Sequence, residues 1–102
     1  YLAWLNRQLD EDIPFNSRVW FVLAAYNAGL GHVRDARRLA KTLGYSHTRW
    51  FGGVEKSMLL LAQPKYAKQA RHGYARGGET VYYVRAVRRQ FRAYRRLKNS
   101  PN

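Results

Sequence analysis

A phenol and a carboxamide stand side by side where an apolar run ends. They are Tyr26 and Asn27, within "AAYNAGLGHVRDARRLA", and Gly29 and Gly31 follow closely. A phenol can donate and accept a hydrogen bond while its ring covers an apolar surface, and a carboxamide supplies both a donor and an acceptor. A plain turn between helices needs the glycines but neither polar side chain. Each residue also has a structural use. Tyr26 can be a core aromatic whose hydroxyl reaches the surface, and Asn27 a helix C-cap beside glycine. The other conspicuous group is Glu79, directly after Gly77-Gly78. It can complement a helix N-terminus, an effect of about 0.3–1 kcal/mol, or hold a carboxylate at a groove edge.

The remaining chemistry is sparse. His32, His47 and His72 are far apart, with no paired-ligand spacing, so neither a metal nor another cofactor is expected. There is no Gly-x-Ser-x-Gly elbow and no phosphate-binding loop. Asp10, Glu11 and Asp12 share a polar stretch and read as solvated loop acids, because a tuned general acid needs an apolar surround. Asp35 and Glu55 have basic neighbours in sequence and read as surface pairs.

These groups must be positioned by a small helical domain. The chain has 102 residues, 46% of them hydrophobic, with nineteen Lys and Arg against six Asp and Glu, a net charge of +13. That excess favours anionic partners: nucleic acid, acidic lipid or an anionic polymer. With no cysteine, disulfides and thiolate metal sites are excluded. The longest apolar run, residues 19–25, is too short to span a bilayer. The chain opens on Tyr1 and reads as a segment of something longer.

Periodicity predicts an all-α fold. Residues 1–9 place Leu2, Leu5 and Leu9 on one face. A loop, "DEDIPFN", leads to a helix from Arg18 to about Ala28, capped by Asn16 or Ser17 and apolar nearly all round. A third helix turns Val33, Ala36, Leu39, Ala40 and Leu43 inward and stops at Gly44. "YSHTRWFGG" reads as a loop, "VEKSMLLLA" as a short helix ending before Pro64, and 65–75 as another. Gly77-Gly78 breaks the chain before a last helix from Glu79 to about Leu97. Residues 98–102 read as a frayed tail.

The last helix carries the strongest pattern. Val84, Val87, Phe91, Tyr94 and Leu97 fall on one side. Arg85, Arg88, Arg89, Arg92, Arg95 and Arg96 fall on the other. The stripe is either a solvated face or an anion-binding one. Nucleic acid is disfavoured: no recognisable motif accompanies the stripe, and the aromatics lie on the apolar side instead of between the arginines.

The Ala-Tyr-Asn-x-Gly stretch at 25–29 resembles the motif of the lysozyme-like lytic transglycosylases. "GYARGGETVYYVRAVRRQF" is similar to their final segment, where a Glu precedes a Tyr-Val pair. "YLAWL", "IPFNSRVWFVLAAYN" and "GVEKSMLLLAQPKYAKQARHGYARG" are similar to the membrane-bound F branch of that family. The resemblance runs from Tyr1 to about Leu97, making residues 1–97 the C-terminal portion of such a domain. It implies non-hydrolytic cleavage of the β-1,4 bond between N-acetylmuramic acid and N-acetylglucosamine in peptidoglycan. One Glu protonates the leaving oxygen, and the muramic 6-hydroxyl closes a 1,6-anhydro ring. This differs from the paired carboxylates of most glycosidases. In the family that Glu lies in a Glu-Ser motif upstream of the position of Tyr1, and no Glu-Ser pair occurs in this chain.

The resemblance therefore implies a groove half without its acid. Tyr26 matches the tyrosine that reaches toward the reacting centre, and Asn27 an amide able to serve an acetamido group. Glu79 matches a second Glu that assists placement, and Tyr83 the tyrosine of the Tyr-Val pair, with core packing as its other use. Gly29 and Gly31 would let backbone approach the glycan. Tyr74, Arg76 and Gly77 belong to the Gly-Tyr-Ala-Arg-Gly stretch at the groove. The partner implied is a peptidoglycan strand in a Gram-negative periplasm, the parent protein attached to the outer membrane, with no cofactor. On this basis the chain alone is expected to be inactive. The contrasting reading is a non-catalytic basic helical module that binds an anionic polymer, glycan or nucleic acid.

Overall fold

A computed structural model describes residues 1–99, and its regular elements are all helices. They are α1 (Leu2–Gln8), α2 (Phe15–Ala28), α3 (Leu30–Leu43), α4 (Glu55–Leu60), α5 (Pro64–Ala67) and α6 (Gly77–Lys98). Of the tail expected at 98–102, Lys98 is still helical, and 100–102 lie outside the described residues.

Helix α2 is central, as its nearly continuous apolar sequence demands. It packs on α1, α3 and α6, burying Phe21, Val22, Ala24 and Ala25. Phe21 meets the wholly buried Trp50 edge to face, ring centres 5.5 Å apart. Leu5, Val33, Val54, Met58, Leu61 and Val84 complete the core. Trp50 sits in a distorted turn, Trp50–Val54, within the stretch expected as loop.

Several boundaries differ from the pattern reading, each for a local reason. Helix α2 starts at Phe15, three residues early. Pro14, with φ −60° and ψ 149°, forms its extended N-cap, so neither Asn16 nor Ser17 caps it. Arg18 reaches back instead to the end of α1, donating to Asn6 Oδ1 (2.8 Å) and to the carbonyl of Asp10 (2.9 Å). Leu2 is exposed, leaving Leu5 and Leu9 to carry the inner face of α1. Leu43 is likewise at the surface. Within 65–75 only Pro64–Ala67 is helical. Gly77-Gly78 does not break the chain. It forms the first turn of α6, with Gly77 seated against the Met58 carbonyl where a Cβ would collide.

Four carboxylates expected at the surface anchor the fold. Asp35 and Glu55 are buried, at 3% and 4% exposure. Asp10 and Asp12 grip the buried Arg37 at 2.7 and 2.8 Å, and the Arg37 Nε donates to the His47 carbonyl at 2.8 Å. That clamp ties the 10–13 loop to α3 and to the segment before Trp50. The distal third of α6 is the opposite case. Phe91, Tyr94 and Leu97, on the expected apolar side, are 51%, 62% and 77% exposed.

Candidate functional site

The end of α2 and the start of α6 meet through one side-chain bond. The Thr80 hydroxyl donates to Asn27 Oδ1 at 2.8 Å. Thr80 is buried while Asn27 stays at the surface. The C-cap role considered for Asn27 falls to Gly29, whose N–H bonds the Ala25 carbonyl at 2.8 Å and whose φ of 102° favours glycine. With its carbonyl oxygen engaged, Asn27 turns a donor NH₂ outward, without a partner among the described residues.

Around this bond lies a cleft of about 360 Å³, lined by Asn27, Ala28, His32, Tyr74, Ala75, Arg76, Glu79 and Thr80. Glu79 stands on its rim in the first turn of α6, its side chain 65% exposed and 3.4 Å from Arg76 Nη1. An exposed pair at that distance is weak and leaves both groups available. His32 contributes a buried Nδ1 with no partner among the described residues.

The segment that leads into Tyr74, Ala75 and Arg76 is held by Asp35. Its carboxylate accepts the N–H of Arg71 (3.2 Å) and of His72 (2.7 Å), and pairs with Arg38. The His72 ring fills the space that a side chain at Gly31 would need, 2.8 Å from the position of a Cβ. The Ala75 N–H bonds the Leu61 carbonyl at 3.2 Å. Residues 71–76 are thus fixed to α3 and α4 although they form no helix. Gly31 admits the His72 ring and not a ligand, which corrects the role expected for it.

Asn27, Tyr74, Arg76 and Glu79 come together in this cleft. Tyr26, Gly29, Gly77 and Tyr83 do not line the cleft. Tyr26 is 56% exposed on an aromatic ledge, its ring 6.3 Å from Tyr1, which stacks on Trp4 at 5.8 Å. Tyr83 is half-buried against the core. Gly77 is buried at the helix seam. His32, Thr80 and Asp35 add what sequence reasoning missed. Thr80 follows Glu79 directly, and its place in the first turn of a helix was the available signal.

The arginine stripe also divides. Arg85 makes two bonds to Glu55, at 2.7 and 3.0 Å. Burial alone would raise the Glu55 carboxyl. The Arg85 hydrogen bonds, the Gly52 N–H and the charges of Arg85 and Arg88 outweigh it and hold Glu55 below its ordinary range. The Arg88 guanidinium lies over the Phe51 ring, 3.7 Å from its centre. Burial, then the charge of Arg92, lowers its proton affinity from the usual guanidinium value.

The sequence that forms this corner and the last helix has likenesses among known proteins. Residues 1–48 match the Transglycosylase SLT domain. More particularly, the chain is similar to the membrane-bound lytic murein transglycosylase F of Shewanella loihica, 48% identical over 89% of this chain and 19% of that protein. The protein of the same name from Haemophilus influenzae is 49% identical over 87% of the chain and 18% of its own length. That of Mannheimia succiniciproducens is 43% identical over 100% of the chain and 22% of its own. The chain thus spans about a fifth of the length of the curated relatives it matches.

Proposed function

We propose that this chain forms the glycan-groove portion of a peptidoglycan lytic transglycosylase working in the periplasm at the outer membrane. The observation that carries this reading is the Thr80–Asn27 bond. It joins the two family-like segments around one cleft, with the Asn27 NH₂, His32, Arg76 and Glu79 facing a ligand-sized space. Asn27 donates to an acetamido carbonyl, Glu79 orients the sugar from the rim, and Tyr26 covers the adjoining ring from the aromatic ledge.

The proton donor comes from outside these residues. Glu55, Asp35, Asp10 and Asp12 are committed to arginines or backbone N–H groups, and Glu79 stands in water beside Arg76. None is an unengaged carboxyl in a dry apolar surround, as a general acid requires. Purified sacculi incubated with the 102-residue chain should therefore yield no 1,6-anhydromuropeptides by mass spectrometry. In the full-length protein, Asn27→Ala should lower kcat/KM by about ten- to a hundred-fold, the effect of losing one polar contact to the sugar. Turnover by the chain alone that Glu79→Gln abolishes would overturn the reading and make Glu79 the acid.

A further inference from the structure

The distal part of α6 is built unlike anything else in the molecule. From Arg89 to Asn99 every residue is exposed, so this stretch projects from the body and accounts for much of the 53 Å long axis against 26 and 25 Å for the others. Yet it is not uniformly polar. At 3.6 residues per turn, Phe91, Tyr94 and Leu97 occupy one arc of about 120°. Arg89, Arg92, Arg95 and Arg96 occupy another of about the same width, adjoining the first. The Arg95 guanidinium lies 5.7 Å from the Phe91 ring, where the two arcs meet. No acidic residue follows Glu79 in the sequence, and among the described residues no carboxylate pairs with these four arginines.

We propose that this distal segment is an interfacial anchor that lays the domain on an anionic phospholipid surface. Charge complementarity selects an anionic partner. The apolar arc selects among anionic partners, because a dissolved polyanion needs only the cations and would leave Phe91, Tyr94 and Leu97 wet. A bilayer surface serves both arcs in one orientation. The three apolar side chains enter the headgroup–acyl boundary, and the arginines extend their stems back toward lipid phosphates. The inference is independent of the glycan reading, since it uses no cleft residue. It has a geometric consequence for that reading. Glu79 lies on the same rigid helix, twelve residues or about 18 Å from Phe91, so docking would fix the distance of the cleft from the surface.

Co-sedimentation of the 102-residue chain with lipid vesicles tests this. Vesicles of phosphatidylcholine alone should bind weakly. Vesicles with about one part phosphatidylglycerol to two of phosphatidylcholine should bind strongly at low salt and lose most binding at about 0.5 M salt. Changing Arg92, Arg95 and Arg96 together to Gln should reduce partitioning about a hundred-fold. Changing Phe91, Tyr94 and Leu97 together to Ser should reduce it at least about ten-fold while helical circular dichroism is retained. Three results would overturn the proposal: binding equal on both vesicle types, serine variants that bind like the parent, or a dimer in solution that the serine substitutions dissociate. The last would assign the apolar face to a second copy of the chain.

Discussion

Glu55 and Glu79 are both glutamates beside the same basic helix, and they live in opposite worlds. Glu55 is 4% exposed and grips Arg85 through both oxygens. Glu79 is mostly in water and touches Arg76 once, at 3.4 Å. The buried carboxylate is fully satisfied and has nothing left for a ligand. The exposed one is under-used, in a cleft where, among the described residues, the Asn27 NH₂ and the His32 Nδ1 also have no partner. Between these two glutamates, then, hydrogen-bond satisfaction separates the group that holds the fold from the group free to meet a ligand.

The sharpest way to break the comparison is at the seam that positions both residues. Gly77 seats the start of α6 against the Met58 carbonyl of α4, and a Cβ there collides with backbone that cannot swing aside. Gly77→Ala should therefore cost about 3 kcal/mol, at the upper end of overpacking effects, and should disturb the cleft and the Glu55 pair together. A urea titration followed by circular dichroism measures it. A loss below about 1 kcal/mol would show that α6 shifts at little cost. Gly78→Ala, where a Cβ meets open space, is the control and should be near neutral.

Next in size is Glu55→Gln, which leaves Arg85 with a neutral partner. Because Arg85 is half in water, the expected cost is about 1–2 kcal/mol and not that of a fully buried pair. Its pH dependence has a definite sign. A carboxyl held below its ordinary value contributes stability above the unfolded value, about 4.3. That contribution is lost as pH falls through the lower folded value. The stability gap between parent and Glu55→Gln should therefore be full at pH 7 and shrink as pH falls below about 4. A gap that widens in acid would contradict the assignment.

These two sites also mark what the sequence could and could not tell. Period-3.6 patterning located every long helix, because α2, α3 and the first half of α6 bury continuous apolar faces. The Tyr-Asn-x-Gly corner and Glu79 were visible as residue types out of place in a simple turn. Glu55 was misread because its partner lies thirty positions away, while Lys56 stands beside it in sequence and pairs with nothing acidic among the described residues. Asp35 was misread likewise, since its main partners are backbone N–H groups at 71 and 72 that no pattern of side chains announces. Phe91, Tyr94 and Leu97 followed the core periodicity perfectly well but had no body to pack against. Periodicity shows that a face is apolar and is silent on what covers it.

The smallest expected stability effect belongs to Glu79→Gln, and there the comparison becomes sharpest. The side chain is 65% exposed with one long contact, so its removal should change unfolding free energy by less than about 0.5 kcal/mol. If the residue were only a helix N-terminal charge, nothing else would follow. If it orients a sugar at the cleft rim, binding should suffer out of proportion to stability. In the full-length protein, Glu79→Gln should leave the melting temperature within about 2 °C of the parent while lowering kcat/KM about ten-fold or more. The amide keeps the shape and one acceptor but loses the charge, so the effect should be smaller than that of Glu79→Ala. A normal kcat/KM with a lowered melting temperature would place Glu79 beside Glu55 as a structural carboxylate, and the proposed cleft would lose its rim.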